Sequence, residues 1–149
     1  MNILKANILA LENSMNWLKR SLDICSKTTD SNDFSPEEMD AFEGLTSRFA
    51  RTADILFNKL YRSIHYIKEG ETSSWLDVLF YMEKSGLIGS VDDARLVKEL
   101  RNDIVHEYAL NDITDLFKEV LAQSPLLLKM AQSAVQEANK ILEKYDGMM

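Results

Sequence analysis

The 149-residue chain contains one cysteine, Cys25, and two histidines, His65 and His106. A single cysteine cannot form an internal disulfide, and the chain has neither the cysteine pairs nor the number of histidines that a zinc site needs. It also lacks a glycine-rich phosphate loop and a convincing Ser, His and Asp set. We therefore predict no metal site and no cofactor, and we interpret Cys25 as a small buried residue.

Long apolar runs and an excess of basic residues are missing as well. No 18 consecutive residues are apolar, and the N-terminus has no basic head followed by a cleavage site. We therefore expect no membrane association and, with the single cysteine, a cytoplasmic protein. The net charge is −7 and the pI is near 4.8. Because such a chain has no broad basic surface, any contact with RNA must use a local site, and we expect no binding to DNA.

The apolar residues that are present recur at helical spacing of three and four nearly everywhere, and no segment alternates as a strand does. This pattern predicts five helices. Their expected ranges are about 2–28, 36–70, 74–84, 92–108, and from about 112 through the seam that ends near 145. The fold class that follows is all-α, an up-and-down bundle of four main helices plus one short helix, in a single domain over residues 1–149.

Several residues mark the expected helix ends. Ser35 should cap the second helix, with Pro36 in its first turn and Glu38 completing a capping box. Asp92 can cap the fourth helix. Pro125 lies within the fifth helical pattern and should kink or divide it, because proline lacks an N–H and crowds the preceding turn.

The fourth helix contains the segment LRNDIVHEY, in which charged and polar residues interrupt an apolar seam. One face of this helix carries, in order, Val97, Arg101, Ile104 and Tyr108. An unpaired charge among core residues is costly, so Arg101 must have a partner, a water-filled cleft or a bound anion.

Asn102 and His106 form a neighbouring polar stripe, four residues apart. Arg101 and His106 lie about 140° apart on a straight helix, so they converge on one ligand only if a second helix or a second subunit closes over this face. A lone Arg or His is ordinarily a solvated or satisfied polar group, and we interpret His65 as a partly buried polar residue. An Arg, an Asn, a His and a Tyr within eight residues favour a site instead.

These residues carry a resemblance to a known family. The spacing of Arg101, Asn102, His106 and Tyr108 is similar to the signature of the HEPN superfamily, above all to the HepT-like toxins of HEPN–MNT toxin–antitoxin pairs. The segments SGLIGSVDDARLVKELRN and YALND on either side also resemble the family's layout. The likeness covers nearly the whole chain, apart from the tail after Pro125. It implies a metal-independent endoribonuclease that works as a homodimer, with the motif helices facing each other.

The resemblance also implies a role for each motif residue. His106 would transfer protons during attack by the RNA 2′-hydroxyl, Arg101 would stabilise charge on the phosphorus centre, and Asn102 would orient the histidine or the phosphate. Tyr108 is similar to the tyrosine that a cognate MNT nucleotidyltransferase antitoxin modifies with AMP, which silences the nuclease. The implied partners are an RNA substrate, a second copy of the chain and that transferase.

Three functions remain open at this point. The first is the ribonuclease toxin. The second is a non-catalytic HEPN module that binds a nucleotide or presents a substrate to a separate nucleotidyltransferase. The third is a structural helical adaptor whose Arg101 is paired inside the core. The presence of both Arg101 and His106 favours the first over the second.

Overall fold

The computed structural model describes residues 1–27, 33–106 and 113–147. The described segments are α1 (Asn2–Cys25), α2 (Pro36–Ile55), a π-helix (Leu56–Leu60), α3 (Tyr61–Glu69), α4 (Trp75–Lys84), α5 (Val91–Val105) and α6 (Ile113–Gly147). Because α2, the π-helix and α3 follow one another without a break, these segments make five helices, and the described ranges contain no strand. The prediction of an all-α bundle with four main helices and one short helix is confirmed.

Helix α2 is the central element of the bundle, since it packs against α1, α5 and α6. Helices α1 and α5 also contact α6, which places one continuous apolar core among the four long helices. The seam of α1 is buried as its spacing predicts, from Leu4 through Leu11 and Leu18 to Cys25. None of the helices in the described part of the chain combines the length and the apolar character needed to span a bilayer.

The N-terminal cap of α2 is the one that the sequence predicts, whereas the cap of α5 is a different residue. The Ser35 hydroxyl accepts from the backbone N–H of Glu38 at 3.2 Å, and the Ser35 N–H donates to the Glu38 carboxylate at 3.0 Å, so the capping box is confirmed. The cap of α5 is Ser90, whose hydroxyl accepts from the Asp93 N–H at 3.2 Å. The expectation that Asp92 caps this helix is therefore wrong. Asp92 lies in the first turn, where its charge complements the helix dipole.

Pro125 does not divide α6, which runs as one 35-residue helix from Ile113 to Gly147. Of the two expected effects of Pro125, a kink or a division of the helix, the division is therefore wrong. Ser124 and Leu127 on either side of the proline are buried, so the surrounding core holds this part of α6 in place despite the missing N–H. The hydroxyl of Ser124 donates to the Val120 carbonyl at 2.7 Å, which satisfies that buried group within the same turn.

The π-helix Leu56–Leu60 is the one feature of the second helix that its periodicity does not predict. A π-turn accommodates an additional residue and rotates the side chains that follow it. Phe57, Tyr61 and His65 are consequently buried, whereas Ile67, at helical spacing from the buried Ile64, is 37% exposed. Such π-turns frequently occur beside functional sites.

Candidate functional site

Helix α5 places Arg101 at the rim of the core. Val97 and Ile104, on the same face of the helix, are buried as predicted. The side chain of Arg101 retains 27% of its surface exposed. The arginine therefore extends from an apolar face into a position that water and a ligand can reach.

The partner of Arg101 is Asp54 on α2, which the sequence analysis did not identify. The Arg101 Nε donates to Asp54 Oδ1 at 2.7 Å, and Nη2 donates to Oδ2 at 3.0 Å, so the contact is bidentate. The side chain of Asp54 is 37% exposed. The hydrogen bonds to Asp54 raise the pKa of Arg101 above its ordinary value, while partial burial acts in the opposite direction. The guanidinium is therefore charged and held in a fixed orientation.

The pair leaves part of the guanidinium unoccupied. Arginine carries five N–H donors, and Asp54 accepts from one on Nε and one on Nη2. Nη1 lies 3.4 Å from the amide oxygen of Asn102, a distance at the weak end of hydrogen bonding. One N–H on each terminal nitrogen is left without a partner among the described residues. Two adjacent donors of this kind suit a phosphate oxygen pair.

His106 lies at the exposed C-terminal end of the same helix. It is the C-cap of α5, and its backbone N–H donates to the carbonyls of Asn102 and Asp103, both at 3.2 Å. Its φ of −106° and ψ of 22° depart from helical values, so the angle expected from a straight helix no longer applies to it. The side chains of Asn102 and His106 are both exposed. The structure thus places Arg101, Asn102 and His106 at the C-terminal end of one helix, without a bond between the arginine and the histidine side chains.

Tyr108 lies outside the described residues. His65 is 6% exposed, and its ring meets that of Tyr81 edge to face, with centroids 5.2 Å apart. The structure therefore buries His65 more deeply than the partly buried position that the sequence analysis expected. Within residues 1–27, 33–106 and 113–147, no group of three or more His, Cys, Asp or Glu side chains is arranged to hold a metal ion.

Asp54 also lines a groove between α1 and α2, here called the α1–α2 groove, with a volume of about 840 Å³. Its charged lining residues are Arg48, Arg51, Lys59 and Asp54. Three cations and one carboxylate give the groove a formal charge of +2, although the chain as a whole carries −7. The chain therefore has a local basic surface despite its negative net charge. This surface adjoins Asp54, the carboxylate that binds Arg101.

A signal for this groove exists in the sequence and was missed. Arg48, Arg51 and Asp54 follow one another at spacings of three, which aligns them along one side of α2. The spacing does not tell which neighbouring helix this side faces. That information lies in the packing of α2 against α1 and α5, which the periodicity of a single helix does not contain.

The comparisons with known proteins leave the family open. Compared with protein families, with curated proteins and with solved structures, the chain gives no match. Four residues and one surface make up the candidate site. They are Asp54, Arg101, Asn102 and His106, and the α1–α2 groove beside them.

Proposed function

We propose that this protein is an endoribonuclease of the HEPN type, the HepT-like toxin of a toxin–antitoxin pair, which cleaves RNA without a metal ion at the interface of a homodimer. One observation carries the proposal. Arg101 is fixed by Asp54 at the rim of the core with two N–H donors left over, and His106 lies exposed at the end of the same helix. A permanent cation and a proton-transfer group are the two functions that such cleavage requires.

The proposed chemistry uses the RNA itself as the nucleophile. The 2′-oxygen bonds to the adjacent phosphorus, and the bond from phosphorus to the 5′-oxygen breaks. One proton leaves the 2′-hydroxyl and another is delivered to the departing 5′-oxygen. His106 of one copy accepts the first, and the same residue of a second copy donates the other. Arg101 stabilises the additional negative charge that the phosphorus centre carries in the transition state.

Asp54 acts as a positioning residue in this scheme. An unpaired arginine side chain samples many rotamers, and a small misplacement of a charged group can cost a large factor in rate. The bidentate contact holds the plane of the Arg101 guanidinium relative to α2. Asn102, whose amide oxygen lies near Nη1, helps to orient the same group or the phosphate.

A second copy of the chain is part of the proposal. Val105, which precedes His106, is 43% exposed although it is apolar. A symmetric dimer that covers this end of α5 would bury Val105 and bring two copies of Arg101 and His106 to one cleft. Arg101 of one copy would then lie close to His106 of the other copy, although the two residues are separated on a single helix.

The structural adaptor is the alternative that a specific observation supports, because the pair of Asp54 and Arg101 joins α2 to α5. Its two side chains are 37% and 27% exposed, however. Ion pairs that water reaches contribute only about 0–1 kcal/mol to stability. A contribution this small does not explain why an arginine lies at the rim of the core. A role in binding a ligand does explain it.

Tyr108 and the cognate MNT nucleotidyltransferase complete the proposal as its regulatory part. Tyr108 follows His106 by two residues in the sequence. An AMP group on its hydroxyl would add negative charge and bulk close to the histidine, where RNA has to enter. We propose that this modification silences the nuclease.

A growth experiment tests the proposed function. Expression of the chain alone should slow growth and fragment cellular RNA, and His106→Ala should abolish both effects. Equal growth inhibition by the wild type and by His106→Ala, at equal protein levels, would contradict the nuclease.

A further inference from the structure

The α1–α2 groove carries a cation held on an aromatic ring. Trp17, on α1, is 49% exposed and lines the groove. The guanidinium carbon of Arg48 lies 4.8 Å from the centre of the Trp17 ring. Arg48 is held there by a hydrogen bond from its Nη1 to the Ser21 hydroxyl at 2.7 Å. An exposed indole with a guanidinium fixed against it is a surface on which nucleic-acid bases stack.

The groove also carries cations that lack a carboxylate partner. Arg51 and Lys59 are exposed, and neither forms an ion pair within the part of the chain that the structure describes. Both lie on the same wall of the groove as Asp54. In a protein with a net charge of −7, unneutralised cations grouped in one groove indicate an anionic ligand.

The groove is continuous with the candidate site. Asp54 lines the groove and at the same time accepts both hydrogen bonds that fix Arg101. A strand lying in the groove would therefore bring one of its phosphates towards Arg101. The volume of about 840 Å³ lies within the range of roughly 300–1,000 Å³ that ligand sites occupy.

We propose that the α1–α2 groove binds single-stranded RNA next to the phosphate that is cleaved. Trp17 and Arg48 stack against one unpaired base, and Arg51 and Lys59 bind phosphates of the same strand. The strand must be single because a base inside a duplex does not expose its face to the tryptophan. This inference rests on the proposed function, which identifies RNA as the ligand.

The test measures binding separately from cleavage. The probe is a fluorescent oligonucleotide of about 12 residues, near the upper part of the range of single-strand sites. Each sugar carries a 2′-O-methyl group, so the probe lacks the nucleophile and stays intact. Binding is followed by fluorescence anisotropy over a series of salt concentrations.

One double variant removes two cations from the groove, and a matched control removes two cations elsewhere on the surface. Arg51→Gln with Lys59→Gln removes two charges from the groove. Lys140→Gln with Lys144→Gln removes two exposed charges from α6, outside the groove, and serves as the matched control. The groove variant should bind more weakly, and its log–log salt slope should be shallower by about 1.4, since each phosphate contact of a single strand contributes about 0.7. The control should keep the slope of the wild type.

A second pair of variants tests the stacking surface. Trp17→Leu keeps an apolar side chain but removes the ring, and it should weaken binding at least about fivefold, the lower end for one stacked base. Trp17→Phe keeps a ring and should retain most of the affinity. Circular dichroism and the unfolding midpoint show whether each variant is folded.

Three results would overturn the inference. They are equal binding by the groove variants and the wild type, no binding by the wild type, and a loss of dimer mass in the groove variants without a loss of RNA affinity. The last would make a second copy the occupant of the groove.

A parallel assay with cleavable RNA separates the two proposals. Groove-dependent binding without cleavage contradicts the nuclease alone, whereas cleavage and binding that ignore the groove contradict this inference alone.

Discussion

Asp54 and Arg101 lie 47 residues apart in the sequence and are joined by two hydrogen bonds of 2.7 and 3.0 Å. The contact connects α2 to α5 at the rim of the core, where both side chains are still reached by water. Because the pair is partly exposed, it contributes little to the free energy of unfolding. The pair has a larger effect on the orientation of the guanidinium. Removing it should therefore change the rate of cleavage much more than the stability, and the two effects can be measured separately.

Asp54→Asn should separate orientation from stability. The amide keeps the size of the side chain but removes the charge and one acceptor, so the guanidinium is no longer held at both nitrogens. We expect the rate of RNA cleavage to fall by at least about tenfold, because a catalytic cation is misplaced. The free energy of unfolding should change by no more than about 1 kcal/mol. Initial rates and urea denaturation measure the two effects, with Asp40→Asn, an exposed carboxylate of the same helix, as the control.

The complementary variant is Arg101→Leu, which separates the nuclease from the structural adaptor. It should abolish cleavage and change stability as little as Asp54→Asn does. A loss of about 3–5 kcal/mol, the size seen when a buried pair is broken, would show that the arginine serves the core instead.

The thiol of Cys25 provides a prediction about pH. Cys25 is buried, its Sγ contacts the Ala41 carbonyl at 3.4 Å, and burial raises its pKa from 9.0 to about 11. The folded protein should therefore resist alkylation at pH 8 and react rapidly once unfolded in urea. Because the folded pKa is raised, the stability that this group contributes is fully present below pH 9 and is lost as the pH rises through about 11. Cys25→Ala should lack this component of the loss, and rapid labelling of the native thiol would refute the assignment.

The dimer is testable by mass. Light scattering at micromolar concentration should give twice the chain mass of 17.1 kDa. Val105→Asp places a charge at the proposed interface and should yield a folded monomer without cleavage activity. Leu96→Asp alters another partly exposed apolar residue of α5, on the opposite side of the helix, and should remain dimeric. A folded wild-type monomer at that concentration would contradict the two-copy site.

Tyr108 tests the regulatory part of the proposal. Tyr108→Phe removes the hydroxyl that would carry AMP, so the variant should cleave RNA as the wild type does and continue to do so when a cognate MNT nucleotidyltransferase is present. Mass spectrometry should find a mass increase of one AMP on the wild type only. Modification of the Phe variant to the same extent would place the acceptor elsewhere.

The sequence predicts those features that depend on one helix at a time. The seam of α1 and the capping box of Ser35 and Glu38 follow from spacing and local hydrogen bonding, and the structure contains both. The shared face of Val97 and Ile104 follows for the same reason. The requirement that Arg101 have a partner or a cleft was also derivable, because it concerns the cost of burying one charge.

Features that depend on two helices were beyond the sequence. The identity of the partner, Asp54, is set by how α2 packs on α5. The groove lies between α1 and α2, where Arg48 of α2 packs on the Trp17 ring of α1. The π-helix changes the buried face after Leu56 and depends on core packing more than on local preference. Single-helix periodicity contains none of these relationships.

The most direct test of the central claim is incubation of the purified protein with total RNA in the presence of a chelator. The wild type should cleave RNA under these conditions. His106→Ala should leave RNA intact while its helical content and its unfolding midpoint stay close to those of the wild type, since the histidine is exposed and substitutions of exposed residues usually change stability by less than about 0.5 kcal/mol. Intact RNA after incubation with the unmodified wild type, across several classes of RNA, would contradict the nuclease and favour the non-catalytic binding module.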